Sequence, residues 1–508
     1  MARKWWTLLV VCVATFMLLL DITIVNVALP DIQADLKSDF SDLQWVIDAY
    51  ALMLAALLLT AGSLADLLGR RRVFVVGLVL FTVASLLCGL ATTPTFLNLA
   101  RGFQGVGGAV MFATTLALIA QEFQGRERGT AFGIWGATIG GAIAIGPLVG
   151  GALTEGISWH WIFFINIPIG VAAIAVTLLR VSESRAPEKA GVDPLGVVTF
   201  SAGLFMLVFA LIRGNEEGWA SPLIVGFLVG SAILLVLFVV VELLWPRPMF
   251  DLSLFRKPAF GGVSIAAFCL SASMFAMFLF LTLYVQNGLG FSPLEAGIRF
   301  LPVTLVAFLA GPISGRLTEV IPVRILFGVG LGLVGIGLLM MGGLKPSSEW
   351  TALLPGFIVA GAGIGLTNPA IASTAVGVVS PAESGMASGI NSTFRQVGIA
   401  TGIAGLGAVF QSDISTRVSE KLAGGVLAGS ADRLGEMVGS FETQTAVASV
   451  PQESRAELTA AVNASFVAAL NELLVIAAVV ALAGAVLAFL LVRGRDFAAQ
   501  PAGEPTPA

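Results

Sequence analysis

Charge is scarce in this chain of 508 residues: Asp, Glu, Lys and Arg together make up 11%, against roughly 25% in a soluble protein. A chain so poor in ions cannot cover soluble domains with polar surface, although its length alone would suggest three or so of them. Histidine occurs once, as His160, which excludes haem or zinc centres built on several imidazoles. Cysteine is confined to Cys12, Cys88 and Cys269, each inside an apolar run, with no CxxC spacing. These read as small packing residues rather than a disulfide framework. No GxxxxGK[ST] segment occurs, so the chain has no phosphate-binding loop of that kind, and an ATP-driven pump would need a partner subunit. The net charge of −4 says little about partners, and nothing points to nucleic acid.

What the chain has in abundance is apolar length. Hydrophobic residues reach 57% and the mean hydropathy is +0.95. The 59 glycines and 22 prolines lie mostly inside apolar runs, where transmembrane helices tolerate them. A span needs about 20 apolar residues. Fourteen runs meet that need, at about 5–29, 43–64, 73–91, 95–120, 130–153, 161–180, 195–212, 222–245, 260–285, 296–315, 325–343, 351–372, 388–410 and 466–492. The fold class predicted is an all-α polytopic membrane protein embedded in a lipid bilayer. The first run follows Arg3 and Lys4 as a signal peptide would, but it is too long and lacks an A-x-A site, so it stays as a helix.

Lys and Arg set the sidedness. With the amino terminus inside, the inside segments hold 17 basic residues, from Arg3 and Lys4 through Arg70, Arg71 and Arg72 to Arg493 and Arg495. The short outside loops hold 3, namely Lys37, Arg213 and Lys345. That asymmetry predicts an even number of spans in the cell membrane with both termini cytoplasmic. One long outside loop, 411–465, contains helix-like stretches such as 452–463, and a Pro- and Ala-rich tail is predicted to be disordered.

The chain also repeats itself. Gly62-Ser-Leu-Ala-Asp66 matches Gly315-Arg-Leu-Thr-Glu319 at an offset of 253. Arg101-Gly-Phe103 matches Pro355-Gly-Phe357 at 254, and the segment Glu127–Gly133 matches Glu383–Gly389 at 256. Spans 1–6 therefore correspond to spans 9–14, with spans 7 and 8 inserted. The expected organisation is a six-helix bundle over 1–185, an inserted helix pair with flanking loops over 186–258, a second six-helix bundle over 259–495, and the tail 496–508. Two like-oriented bundles around a central path are an architecture of secondary transporters.

Several motifs carry a more specific likeness. They are Gly62-Ser-Leu-Ala-Asp66-Leu-Leu-Gly69-Arg70-Arg71-Arg72 between spans 2 and 3, and Leu97-Asn-Leu-Ala-Arg101-Gly-Phe-Gln104-Gly105-Val-Gly107-Gly108-Ala109 in span 4. Span 5 has Gly141-Ala-Ile-Ala-Ile-Gly146-Pro147-Leu-Val-Gly150-Gly151, and span 1 has Leu20-Asp21-Ile-Thr-Ile-Val-Asn26-Val-Ala-Leu-Pro30. With Trp159-His-Trp-Ile-Phe-Phe-Ile-Asn166-Ile-Pro168, this set resembles the major facilitator superfamily, specifically its fourteen-spanner drug:proton antiporters, over residues 5–492. That branch more often has Arg where this chain has His160. The span 5 motif marks exporters within the family.

Depth along the helices ranks the charged candidates. Asp21 lies roughly 12 Å, Arg101 roughly 9 Å and Asp48 roughly 7 Å from the outer ends of their spans at 1.5 Å per residue. All three are expected to share the outer part of the first bundle. An isolated charge at a span centre costs about 2.5–3.5 kcal/mol, so Asp21 and Arg101 are expected to pair, either as a structural ion pair or as a protonatable coupling site, with Asp48 as a further coupling candidate. Asp66, with Gly62, Gly69, Arg70 and Arg71, is either a cytoplasmic anchor or, as the resemblance implies, a latch. In one state only, that latch would reach a helix N-terminus or an arginine of the other bundle. Gly146, Pro147, Gly150 and Gly151 form either a passive packing surface or, as the family implies, a flexing gate that blocks leakage. Arg395 either snorkels inward or faces a cavity. Arg299 and Glu242 are expected to snorkel, and His160 to sit at the outer interface.

The function expected is proton-coupled antiport of drugs or antibiotics, with a small amphipathic substrate, protons as the coupling ion, no cofactor and a monomeric chain. The alternative is a proton-coupled exporter of one natural product, lipid or other metabolite. An enzyme would need clustered catalytic groups near one face, and none is found. The scarcity of acids in the spans weakens a preference for dications.

Overall fold

The computed structural model describes residues 2–38, 40–124, 126–184, 193–245, 250–318, 320–380, 383–439 and 443–493. Fourteen long helices run through them. We label these α1 (Arg3–Leu36), α2 (Phe40–Leu68), α3 (Arg70–Gly89), α4 (Pro94–Glu122), α5 (Arg126–Gly156), α6 (Trp161–Arg180) and α7 (Pro194–Glu217). The remainder are α8 (Pro222–Leu244), α9 (Pro258–Gly288), α10 (Pro293–Leu317), α11 (Val323–Met340), α12 (Leu354–Gly377), α13 (Ser384–Leu422) and α14 (Arg455–Leu491). Thirteen of them are long and apolar enough to cross a membrane. The other, the glycine-rich α5, is 31 residues long, about 46 Å at 1.5 Å per residue, and lies against α1 and α10. The protein is a multi-pass membrane protein with no strand among its described residues.

Starts and stops follow local chemistry. Pro94, Pro194 and Pro222 each occupy the first turn of a helix, where their missing N–H leaves no bond unmade. Thr93, Asp193 and Ser221 cap those helices, each accepting from a backbone N–H of the first turn. Ser292 and Glu295 form a reciprocal capping box at the start of α10. Helix α9 contains two π-helical stretches, Ser271–Phe275 and Tyr284–Gly288.

The packing repeats as the sequence does. Within α1–α6, α3 packs on α4, α2 on α4, α1 on α5 and α3 on α6. The repeat mates do the same: α11 packs on α12, α10 on α12, α9 on α13 and α11 on α14. The two sets meet through α2 with α13 and α5 with α10, a pair of contacts that the repeat exchanges with each other. Helix α7 touches both α2 and α13. Helix α8 buries only Ile224, Ser231, Phe238 and Glu242, a single stripe at heptad-like spacing. Ser231 Oγ donates to the Gly203 carbonyl of α7 at 2.8 Å. The rest of α8 exposes Val229, Ile233, Val236 and Leu244, a surface that only lipid solvates well.

Two expectations change. The segment 411–465 is not a loop over most of its length: α13 continues to Leu422 and α14 begins at Arg455. Phe410, Ile414, Val418 and Leu422 recur every four residues and are buried, so one apolar stripe carries the helix onward. A short helix, Ala431–Gly439, buries Leu434 and Val438. Glu242 does not snorkel: it is buried and accepts from the Phe250 backbone N–H at 3.1 Å. Arg299 does snorkel, reaching back one turn toward the start of α10: it donates to the Glu295 carbonyl at 2.9 Å, with its guanidinium 3.4 Å from the Phe291 ring centre. The tail 496–508 and Glu319 of the repeat lie outside the described residues.

Candidate functional site

A closed polar cluster sits inside the first bundle. The side chains of Asp21, Arg101, Gln104, Asn166 and Ser85 are all buried. Arg101 Nη1 donates to Asp21 Oδ2 at 2.5 Å and to Gln104 Oε1 at 2.7 Å. Gln104 Nε2 and Asn166 Nδ2 donate to Asp21 Oδ1 at 2.9 and 3.2 Å. Arg101 Nε donates to the Val46 carbonyl at 2.9 Å, and its guanidinium lies 4.3 Å from the Tyr50 ring centre. Asn166 and Gln104 also donate to Ser85 Oγ, which in turn donates to the Phe163 carbonyl at 2.9 Å. The Asp21 carboxylate thus collects donors from α4 and α6 while sitting in the middle of α1. Bonds of this type to an ionised carboxylate are shorter and stronger than neutral ones. Gln104 lies three residues after Arg101 and so on the same helix face; that spacing, and Asn166 as a lone amide in an apolar run, are the signals that sequence reasoning passed over.

Asp48 does not join this cluster. It faces Arg213 of α7 across 4.0 Å. Arg213 also pairs with Glu216 at 2.8 Å and Glu217 at 3.1 Å and donates to Gln44 Oε1 at 3.1 Å, while Gln44 Nε2 bonds Glu216. The reason is lateral: Asp48 lies on the flank of α2 that packs on the inserted helix. Arg213, assigned to an outside loop by its run boundary, is a buried residue of α7.

At the face that carries the amino terminus, Asp66 spans the two bundles. Its Oδ1 accepts from the Gly385 N–H at 3.1 Å and its Oδ2 from the Met386 N–H at 2.9 Å, at the first residues of α13. Arg70, four residues on, donates to Oδ1 at 2.7 and 2.9 Å. Close approach is possible because both partners are glycines: a Cβ on Gly62 would lie 2.4 Å from the Gly385 carbonyl oxygen. Gly69 adopts φ +109°, which side chains rarely tolerate. The next helix start is capped from elsewhere: Glu183 accepts from the N–H groups of Arg71 at 3.1 Å and Arg72 at 3.2 Å. Nothing in the spacing pointed to Glu183.

The span 5 glycines work inside one bundle. A Cβ on Gly146 would lie 1.8 Å from Thr23 Oγ1, and one on Gly150 2.9 Å from Ile24 Cγ1, so both seat α5 against α1. Gly151 meets only Leu294 Cβ of α10, at 3.9 Å. The tight contact between bundles is made earlier on the same helix, by Gly129 and Gly133 against Gly315 and Gly311 of α10. Pro147 lies within α5, and its side chain falls outside the described residues.

Between the bundles a narrow cavity is lined by α5, α9, α10 and α12, with Phe275, Phe278 and Asn368 on its wall. The Arg395 guanidinium lies 5.7 Å from the Phe275 ring centre. His160 stacks on Trp159 at 3.7 Å and bonds Ser158 Oγ at 2.8 Å. Partial burial pulls its imidazole below the usual value, against the opposing charge of Asp35. No group of three or more His, Cys, Asp or Glu side chains among the described residues can hold a metal ion.

Residues 11–403 match the family model described as Major Facilitator Superfamily. The puromycin resistance protein of Streptomyces alboniger is 38% identical, over 80% of this chain and 82% of its own. The tetracenomycin C resistance and export protein of Streptomyces glaucescens is 32% identical, over 100% of this chain and 95% of its own. A multidrug resistance protein of Mycobacterium tuberculosis is 36% identical, over 82% of this chain and 78% of its own. Among solved structures, that of the human organic anion transporter MFSD10 shares the fold, with a TM-score of 0.60 at 13% identity over 94% of this chain and 99% of that one.

Proposed function

Because this chain belongs to the Major Facilitator Superfamily, we propose that it is a proton-coupled antiporter that exports drugs or antibiotics across the cell membrane as a monomer, with both termini in the cytoplasm. The relatives named for antibiotic resistance and export support that reading. So does the buried Asp21 carboxylate, the single observation that carries the coupling. Export against a gradient needs an energy source. The membrane potential offers about 2.3 kcal/mol per charge per 100 mV, and each pH unit about 1.4 kcal/mol. One proton can therefore raise a neutral solute by roughly two to three orders of magnitude when both act together.

Asp21 is the proton carrier in this reading. A proton on its carboxyl removes the negative charge that Arg101, Gln104 and Asn166 converge on. Those charge-assisted bonds weaken, and α4 and α6 are freed to move relative to α1. The Asp66 bonds to Gly385 and Met386 hold the cytoplasmic side shut in this conformation, which fits loading of the proton from outside. No cofactor takes part.

The test uses everted vesicles energised with a proton gradient. Asp21→Asn keeps the shape and removes the titration, so uphill export should be lost while downhill substrate exchange persists. Gradient-driven accumulation by Asp21→Asn vesicles at the wild-type rate would move the coupling role away from Asp21.

A further inference from the structure

A cation, Arg395, stands against the wall of the cavity between the bundles. Arg395 lies about three turns into α13, over the face of Phe275, the last residue of the first π-helical stretch of α9. Such π-bulges cluster at functional sites. Arg395 Nη1 is buried without a hydrogen-bond partner. Among the described residues no carboxylate forms an ion pair with Arg395, whereas Arg101 is matched by Asp21, Arg70 by Asp66 and Arg213 by Glu216.

Two amides share the deficit. Asn368 is 2% exposed, lines the cavity from α12, and leaves its Oδ1 without a partner. Asn391 stands one turn before Arg395, hence on the same face of α13, and is 3% exposed with its Nδ2 unpartnered. An amide presents either its oxygen or its NH₂ group by a half-turn about its last bond. Buried polar groups in native proteins are normally satisfied, so an amide left open on the cavity wall, and a guanidinium and an amide left open on the face of α13 whose Arg395 meets the wall residue Phe275, call for a ligand that brings acceptors. The remaining walls, Phe275, Phe278 and Ile364, are apolar; in this conformation they leave room for about one water, so an apolar ring system would enter only as the bundles part. The acids that might have offset Arg395 are committed elsewhere: Asp21 to Arg101, Asp48 to Arg213 and Asp66 to α13.

We propose that this cavity is an anion-selective substrate site, in which Arg395, with Asn368 and Asn391, receives the carboxylate or ionised phenol of an otherwise apolar, ring-containing molecule. The proposal rests on the reading of the chain as an exporter and names the class of solute that it carries. Arg395 suits the task because its planar fork meets a carboxylate through two parallel bonds.

The test measures binding to the purified full chain in detergent, by fluorescence anisotropy, of anthracene-9-carboxylate and its neutral near-isostere anthracene-9-carboxamide. The wild type should bind the carboxylate about tenfold more tightly. Arg395→Gln should bring the two within about twofold of each other by weakening the carboxylate alone, and Arg395→Lys should keep most of the preference. Should Arg395→Gln fail to fold, Asn368→Asp, which sets a carboxylate on the same wall, should abolish the preference. Equal binding of the two probes by the wild type, or an intact preference in Arg395→Gln or Asn368→Asp, overturns the proposal. Binding needs no proton gradient, so the two readings fail separately. Uphill export of neutral dyes by a chain without anion preference refutes the site alone. An anion preference in a chain that drives no export in energised vesicles refutes the exporter reading alone.

Discussion

A methyl group built on Gly315 would stand 1.9 Å from the carbonyl oxygen of Gly129, so α10 and α5 meet there backbone against backbone. The repeat gives each a counterpart, Gly62 for Gly315 and Gly385 for Gly129, and the counterparts meet in the same way. Both contacts lie on the face that carries the amino terminus. A side chain at either one must push two helices apart. Gly315→Val and Gly62→Val should each lower export about tenfold or more at equal membrane abundance, by removing the conformation in which this face is shut. Undiminished export by both variants would show that the bundles need not close here.

Asp66 adds a charge to the second of these contacts. A carboxylate at a helix N-terminus contributes about 0.3–2 kcal/mol. Asp66→Asn keeps the shape and removes the charge, so turnover should fall while expression stays near normal. The measurement is transport per molecule of protein in the membrane. Wild-type transport would leave Asp66 as an anchor for Arg70 only.

Arg101 and Asp21 should not be equally costly to lose. Removing either partner of a buried pair costs about 3–5 kcal/mol, and each partner keeps two hydrogen bonds, Asp21 from Gln104 and Asn166 and Arg101 to Gln104 and Val46. Arg101→Ala in addition empties the space of a buried side chain packed on Tyr50, whereas Asp21→Asn keeps the shape. Thermal melting in detergent should therefore rank Asp21→Asn above Arg101→Ala, with the double variant more stable than Arg101→Ala alone. If the double variant melts no higher than Arg101→Ala, charge pairing is not what Arg101 supplies.

The sidedness can be read with two reporter fusions, one near Ser430 and one after Arg495. They should report outside and inside respectively, and the same side for both would overturn the fourteen-span topology.

His160 has little to do with coupling. Its imidazole is pulled below the usual value and so is neutral at pH 7, stacked on Trp159 just before α6, at the face opposite the amino terminus. His160→Gln should leave the pH profile of export unchanged. A shifted profile would make this histidine a proton relay after all.

Much of this molecule was legible because hydrocarbon is a strict solvent. Apolar runs marked all fourteen helices, and the offsets of 253 and 256 made Gly62 the mate of Gly315 and Gly129 the mate of Gly385, the four glycines of two equivalent contacts. The union of Asp21 with Arg101 followed from the cost of a lone charge at depth. Lateral facts were harder to see. Depth placed Asp48 beside that pair, but which flank of α2 it occupies depends on α7 packing there, and α7 has no counterpart in the repeat. The hydropathy of 411–465 fell too low to mark a span, yet the four-residue stripe from Phe410 to Leu422 was enough to continue the helix. Glu183 caps α3 from 111 residues away, a partnership that no local pattern announces.

The inserted pair α7 and α8 is moored unequally. To α2 it holds through Arg213 with Asp48 and Gln44, and through the Thr60 and Ser201 hydroxyls at 2.9 Å. To α13 the hydrogen bond is Asn215 Nδ2 to the Ala404 carbonyl, at 3.1 Å. If the two bundles separate at the face opposite the amino terminus, the thinner mooring would part first and the pair would ride as a passenger on the amino-terminal half. The gap between Asn215, two residues before the end of α7, and Ala404 would then be a side door near that end of the helix.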